Sequence, residues 1–104
     1  MSFNEVFTIV ASGTATALVA GVVAYVATVV PTAQADTGIQ ATDLALIFRT
    51  TAGGTLGAYL CNITTADAAG NRTATLNIAS YLNAGGFNAA DTSTVSYIVL
   101  RRNV

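Results

Sequence analysis

The sequence predicts an α+β protein. One amino-terminal transmembrane helix spans residues 1–31, a linker covers residues 32–43, and a small antiparallel β module of about four strands covers residues 44–104. The helix is predicted because no acidic or basic side chain occurs in the 30 residues between Glu5 and Asp36. The β module is predicted because later residues form short runs of strand-forming side chains between turn residues. An all-β fold is the alternative.

The uncharged segment, residues 6–30, is long enough to cross a bilayer as a helix. Its 25 residues would extend about 37 Å at about 1.5 Å per residue, and a hydrocarbon core of about 30 Å needs about 20 residues. Pro31 stands where a helix should end. Asn4 and Glu5 lie at the other end, where a capping side chain and an acid are favourable.

The same segment also has features of strands. Thirteen of its 25 residues are Val, Ile or Thr, which favour strands in water; Gly13 and Gly21 would then be turns between three short strands. Residues 18–30, however, show no sustained alternation of apolar and polar side chains, as expected for a lipid-embedded helix or a fully buried strand. The helix is therefore the favoured prediction, because an isolated segment in lipid satisfies its backbone only as a helix.

A secretory signal peptide is a third interpretation of this segment. Ala33, Gln34 and Ala35 have the small-x-small form of a cleavage site. Two features oppose it. The first five residues contain no Lys or Arg, and the apolar stretch is longer than the about 7 to 15 residues of a signal peptide.

The β module is predicted from four runs of strand-forming residues, at 44–50, 55–64, 73–82 and 95–102. Gly53 and Gly54 separate the first two runs, and Gly70 with Asn71 supplies a turn between the next two. A sheet of this size has a thin core, so we expect neighbouring molecules to stabilise it.

Small residues recur every four positions inside the predicted helix. Gly13, Ala17 and Gly21 form one row, and Ala20 and Ala24 form an adjoining row. Residues four apart lie on one face of a helix, and small residues let membrane helices approach closely. These five residues are therefore predicted to line a helix-packing groove; the alternative is that Ala and Gly are simply abundant.

Three charged residues are candidates for contacts with a partner or with lipid. Glu5 lies at the predicted membrane edge, and Arg101 and Arg102 are adjacent near the end of the sequence. Two arginines can make multidentate contacts with phosphate or carboxylate groups. The alternatives are a plain interfacial acid and a solvated strand end. Cys61, in an apolar run, is predicted to be a small buried side chain.

Composition argues against several classes of function. The chain has no His and one Cys, so it cannot form a zinc or other transition-metal cage from these ligands, and it has no Ser-His or Cys-His catalytic pair. A net charge of −1 without a basic run argues against nucleic-acid binding. We therefore expect a non-enzymatic protein without a metal or cofactor.

The organisation of the chain resembles that of small single-span virion membrane proteins of corticovirus-type bacteriophages, which have an internal membrane. The resemblance rests on the predicted span at residues 6–30, a retained Met1 and a compact polar remainder. It implies a structural protein that anchors a capsid to a lipid bilayer through its amino-terminal helix. The implied location is the virion membrane, and the implied partners are copies of the chain, the bilayer and a capsid or shell protein.

Two other structural roles remain open. A pilin-like subunit of a cell-surface filament is similar in its long apolar amino-terminal helix and in its acid at position 5, although Met1–Glu5 shows no processed leader and Pro31 comes late for that family. The other role is an all-β coat or fibre protein without lipid, in which residues 6–30 pair as strands.

Overall fold

Two antiparallel three-stranded sheets make up most of the computed structural model, which describes residues 3–103. Sheet A has the strand order β1-β6-β3, and sheet B has the order β2-β5-β4. Strands β5 and β6 are therefore central, and the other four are edge strands. In chain order the elements are α1 (Phe3–Val6), β1 (Phe7–Ala17), β2 (Val22–Pro31), a 3₁₀ helix (Thr32–Thr37), β3 (Leu44–Thr51), β4 (Ala58–Ala68), β5 (Asn71–Tyr81) and β6 (Thr94–Arg102).

The predicted α+β fold with an amino-terminal transmembrane helix is wrong, because most of the uncharged segment forms strands β1 and β2. Within residues 3–103, no helix is long and apolar enough to cross a membrane. A two-residue turn at Ala20 and Gly21 interrupts the segment, which therefore cannot be one continuous helix. The two residues have φ values of 52° and 81°, and Val19 and Val22 on either side exchange both backbone hydrogen bonds. Positive φ at both central residues is typical of a type I′ hairpin turn.

Three register shifts interrupt the regular alternation of β1 and β2. They lie between Ile9 and Ala11 and between Thr14 and Ala17 in β1, and between Val26 and Thr28 in β2. Val10 and Ala11 both pack against the core, as does Ala27. Because a bulge inserts one residue into the pleat, it shifts the period of two on which a strand is recognised.

The four strands predicted between residues 44 and 102 are present at shifted bounds, but they do not form a sheet of their own. Strands β3 and β6 belong to the sheet that contains β1, whereas β4 and β5 belong to the sheet that contains β2. The β4–β5 hairpin turns at Ala69 and Gly70, with φ values of 53° and 82°. The predicted linker, residues 32–43, contains the 3₁₀ helix.

The hydrophobic core lies between the two sheets and comes mainly from the central strands. Leu76 in β5 and Val95 in β6 are fully buried. The rings of Tyr25 in sheet B and Tyr97 in sheet A are 5.6 Å apart and tilted by 47°, so they join the two layers. Burying one large apolar side chain contributes about 1.5–3 kcal/mol. Other buried members are Ala15, Leu18, Ile39, Ile63, Ala74, Ile78 and Val99.

Candidate functional site

The outer surface of sheet A is apolar. The register of β1 and β3 with β6 places alternate side chains of the three strands together on this side, away from the core. We call this surface face A. Its apolar members are Phe7, Ile9, Leu44, Leu46, Phe48, Ile98 and Leu100, and its uncharged polar members include Ser12, Thr14, Thr94 and Ser96.

On face A, Leu100 of the central strand β6 is buried, whereas large side chains of the flanking strands β1 and β3 are exposed. Leu100 is only 4% exposed, because it lies between its register partners Ile9 and Leu44, which are 56% and 52% exposed. Leu46 and Phe48 are each 45% exposed. Three strands about 4.8 Å apart and about eight residues long cover about 400 Å² in projection. This area includes the polar positions of the face, and it lies within the range of the largest apolar patch of an ordinary monomer, which is often functional.

Face A carries almost no charge, and the same is true of the outer surface of sheet B. By register, Arg102 at the end of β6 is the one ionised residue among residues 3–103 that falls on either outer surface. The outer surface of sheet B, which we call face B, consists of Val22, Ala24, Val26, Val29, Leu60, Asn62, Thr64, Ala66, Thr73, Thr75, Asn77 and Ala79. Most charged side chains lie at the ends of the sandwich instead.

At one end, Arg101 is held within the chain by Asp43. Its Nε and Nη2 atoms donate to the two carboxylate oxygens over 2.9 and 2.7 Å, and Nη2 also donates to the Gly38 carbonyl oxygen over 2.9 Å. Burial acts to raise the pKa of Asp43, but hydrogen bonds from Arg101 and the Gln40 N–H, with the Arg101 charge, lower it overall. The Asp43 side chain is only 3% exposed, so this pair fixes the start of β3 against β6.

The three charged residues predicted to contact a partner or lipid thus differ in their surroundings. Arg101 is bound to Asp43. Arg102 is exposed and lies opposite Phe7 at the margin of face A. Glu5 is exposed in α1, directly before β1. Whether Glu5, Arg101 or Arg102 contacts a partner stays a prediction.

At the other end, a buried polar network surrounds Asp91, which is completely inaccessible to solvent. Its carboxylate accepts hydrogen bonds from Ser80 Oγ over 2.7 Å and from the Ser93 N–H over 2.9 Å. Burial acts to raise the pKa of Asp91, but hydrogen bonds from Ser80, Ser93 and Tyr59 outweigh it and lower the pKa to about 2. Asn88 extends the network, because its Nδ2 atom donates to Ser80 Oγ and to the carbonyl oxygen of residue 55.

The hydrogen bonds of this network connect β5 to the loops that precede β4 and β6. Ser80 and Asp91 are both 0% exposed, and no pocket opens onto them in the part of the chain that the structure describes. Arg49 donates to Tyr59 Oη over 3.0 Å and to the Gly57 carbonyl over 2.8 Å, which ties β3 to the start of β4. A buried serine and carboxylate without access for a substrate hold the fold together.

The residues predicted to line a helix-packing groove lie on β1, on β2 and in the turn between them. Gly13 lies opposite Tyr97, and a Cβ there would be 2.8 Å from Tyr97 Oη. A Cβ at Gly21 would be 2.1 Å from the Asn88 carbonyl oxygen. These two glycines therefore allow close packing within the sandwich. The remaining members of the predicted groove are Ala17 at the end of β1, Ala20 in the turn and Ala24 on β2.

Metal ligands are not gathered at one place: within residues 3–103 no three Asp, Glu, Cys or His side chains form a group. Cys61 is partly buried in β4, and burial raises the pKa of its thiol to about 11. Such a thiol is predominantly protonated at neutral pH and therefore a poor metal ligand or nucleophile.

Sequence reasoning missed face A. The signal that could have revealed it is residues 44–48, Leu-Ala-Leu-Ile-Phe. A strand of this sequence has apolar side chains on both of its faces. Leu44, Leu46 and Phe48 point outward, while Ala45 and Ile47 pack against the core. A strand that is apolar on both sides is typical of one that is covered on both sides.

Comparison with known proteins gives no relative: no family model, curated protein or solved structure matches this chain. The fold and face A therefore define only a class, that of small all-β proteins with two packed sheets and outer surfaces that carry almost no charge.

Proposed function

We propose that this protein is a non-enzymatic structural subunit that assembles with other copies of itself through face A, as the subunits of a coat or fibre do. The observation that supports this function most is face A itself, a surface with seven apolar side chains and one charged residue, Arg102, at its margin. Because most of residues 7–31 form strands β1 and β2 instead of the predicted transmembrane helix, the proposal follows the all-β alternative and leaves the helical lipid anchor aside.

The chemistry of face A favours a second copy as the occupant. A basic or acidic partner would need complementary charges, and an anionic membrane surface attracts clusters of Lys and Arg. Face A has only Arg102, at its margin. A second copy presents the same uncharged surface, and two such surfaces related by a two-fold axis complement each other.

The size of face A also fits contact between copies. Two projected surfaces of about 400 Å² give about 800 Å², and the accessible area of pleated side chains is larger, so the total approaches the about 1,200 Å² at which stable interfaces begin. The flanking side chains Ile9, Leu44, Leu46 and Phe48 are about half exposed. Covering them in both copies would contribute about 6–12 kcal/mol.

Association itself costs about 4–15 kcal/mol. One contact through face A is therefore weak or moderate by itself. Copies joined only by this surface would exchange readily, whereas copies held by several contacts each would form a lasting assembly. This balance is typical of a subunit in a larger structure.

Substitution of Leu46 by Glu tests the proposal, because it places a charge at an exposed position on the flank of face A that β3 forms. Val26→Glu is the matched control: Val26 is 51% exposed on face B. Sedimentation velocity over a dilution series should show association of the wild type. L46E should weaken it at least about tenfold, which corresponds to about 1.4 kcal/mol, while V26E should leave the contact through face A intact.

The opposite results would overturn the proposal. They are a wild type that stays monomeric at every concentration, or equal effects of the two variants. Binding of the wild type to neutral lipid vesicles, or to one other protein, that L46E abolishes without any self-association would assign face A to that occupant instead.

A further inference from the structure

Strand β4 is the one edge strand, among those in residues 3–103, whose pairing with its neighbour is regular throughout. Its register with β5 runs without interruption from Ala58 to Ala68. The other three edge strands, β1, β2 and β3, each contain at least one register shift. Bulges are one of the devices by which proteins prevent an edge strand from pairing with another chain, and β4 lacks this device.

The sequence of β4 supplies no other protection. It contains neither Lys nor Pro, and its one charged residue, Asp67, is bound to Arg72 beside the hairpin turn. In an antiparallel edge strand, about half of the backbone N–H and C=O groups point away from the sheet. The eleven residues of β4 therefore present a regular row of donors and acceptors, and its one charged side chain lies beside the hairpin turn.

We propose that β4 pairs antiparallel with β4 of a second copy, centred on Ile63, so that two copies of sheet B form one continuous six-stranded sheet. This inference adds a second interface to the proposed function and rests on the edge of sheet B, not on face A. A two-fold axis at Ile63 places Asn62 opposite Thr64 of the second copy, and Leu60 opposite Ala66 of the second copy.

The polar side chains of face B favour this register. Within one chain, Asn77 Nδ2 donates to the Asn62 carbonyl over 3.1 Å and to Thr64 Oγ1 over 3.0 Å, and Thr75 lies opposite Thr64. Pairing at Ile63 sets an Asn opposite a Thr on both sides of the axis. The rows of Asn and Thr side chains then continue from one copy into the next, and no like charges meet.

A pair of double variants tests the edge and its register together. Asn62→Lys with Thr64→Lys places a Lys opposite a Lys of the second copy twice, and Asn62→Glu with Thr64→Glu does the same with acids. Like charges directly opposite are unfavourable, and opposite charges are favourable. Each double variant alone should dimerise at least tenfold more weakly than the wild type, and an equimolar mixture of the two should restore dimers.

The matched control is Ala24→Lys with Val26→Lys. It places the same two charges on the same face B, but on the bulged edge strand β2, and should leave pairing through β4 unchanged. These measurements are made in the L46E background, where contact through face A is weakened. Edge dimers that persist in L46E show that the edge pairs independently, so failure of face A and failure of β4 are distinguishable.

A disulfide provides a second measurement that does not depend on added charge. In the proposed register Cys61 lies opposite Thr65 of the second copy, at the separation of about 4.5–5.5 Å between paired Cα atoms that a disulfide accepts. Positions 61 and 65 of one strand are about 13 Å apart, so a bond between them can only join two copies.

Under mild oxidation Thr65→Cys should give a reducible dimer, whereas the wild type should not, because its Cys61 faces a threonine. Absence of the dimer in Thr65→Cys, failure of the Lys and Glu double variants to restore each other, or equal weakening by the β2 control would each overturn the pairing. Cross-linking of the wild type through Cys61 would overturn the proposed register.

Discussion

The buried carboxylate of Asp91 gives the sharpest expectation for stability. Substitution by Asn keeps the shape and retains one oxygen for the Ser93 N–H, but it replaces the oxygen that accepts from Ser80 Oγ over 2.7 Å with an NH₂ group. Ser80 must then turn its hydroxyl. The Asn NH₂ group then donates to Ser80 Oγ, and the hydrogen bond from the Ser93 N–H loses the charge of its acceptor. Hydrogen bonds to charged groups contribute about 1.5–3 kcal/mol.

The lowered pKa of Asp91 gives a second measure of the same effect. A folded-state pKa of about 2, against an ordinary value of 3.8, corresponds to about 2 kcal/mol of stability at neutral pH. Because the pKa is lowered on folding, this stability is fully present above the ordinary pKa. It is lost as the pH falls from about 4 to about 2.

We therefore expect D91N to lower the free energy of unfolding by about 2 kcal/mol at pH 7, and the difference from the wild type to shrink towards pH 2. Urea unfolding at a fixed protein concentration measures both quantities. It is followed by far-ultraviolet circular dichroism because the chain has no Trp for fluorescence. Asp43 and Asp67, whose pKa values are also lowered, titrate in both proteins and cancel in the difference.

Asp36→Asn is the control, because Asp36 is exposed in the 3₁₀ helix and its substitution should change stability by less than about 0.5 kcal/mol. A D91N protein as stable as the wild type at pH 7 would refute this reasoning. So would a difference that stays constant between pH 7 and pH 2, because the effect would then come from shape and not from ionisation.

Two further substitutions have expected magnitudes. Gly21→Ala should destabilise the fold by more than about 2 kcal/mol in thermal unfolding, because φ is +81° and the new Cβ would meet the Asn88 carbonyl at 2.1 Å; Gly70→Ala, with φ of +82° but open space, should cost only about 1–2 kcal/mol. Arg101→Met should raise the pKa of Asp43 in an NMR titration and destabilise the fold by about 2–3 kcal/mol, because the carboxylate stays buried without its cation.

The two glycine variants are each other's control, and equal losses would show that the close approach at Gly21 does not matter. For the ion pair, Arg72→Met is the control, since Arg72 and Asp67 form a more exposed pair and should lose less stability. An Asp43 pKa that does not rise in R101M would contradict the role given to Arg101.

The strands of residues 44–102 could be predicted because residue types that favour turns separate them in the sequence. Gly70 adopts positive φ in the two-residue turn between β4 and β5, and strand-forming residues flank it on both sides. These interactions involve neighbours along the chain, so a pattern of residue types is enough to reveal them.

The first uncharged segment misled the prediction for a physical reason. The bulges at Val10 and Ala27 break the period of the strands, and the outer side of β2 is apolar at Val22, Val26 and Val29. Both features remove the alternation that distinguishes a half-exposed strand from a buried helix. The high content of β-branched residues, and Gly21 as a turn, were the signals for the alternative that the structure adopts.

The candidate site depends on pairings that no local pattern specifies. Face A exists because β6 lies between β1 and β3, and the pair formed by Arg101 and Asp43 joins residues 58 positions apart. The apolar character of residues 44–48 is visible in the sequence, but the strands that lie beside them are not. The regular edge of β4 likewise emerges only by comparison with the register shifts of the other edges.

The position of β6 in the middle of sheet A also governs the order in which the molecule can fold. The side chain of Thr8 donates a hydrogen bond to that of Asn103, although the two residues are 95 positions apart. Strands β1 and β3 have no neighbour in their sheet until β6 pairs with them. Closing so long a loop slows folding. The three strands of sheet B lie within residues 22–81, whereas β1 and β3 have no neighbour in their sheet until residues 94–102 pair with them, and strand edges left unpaired during folding are prone to aggregate.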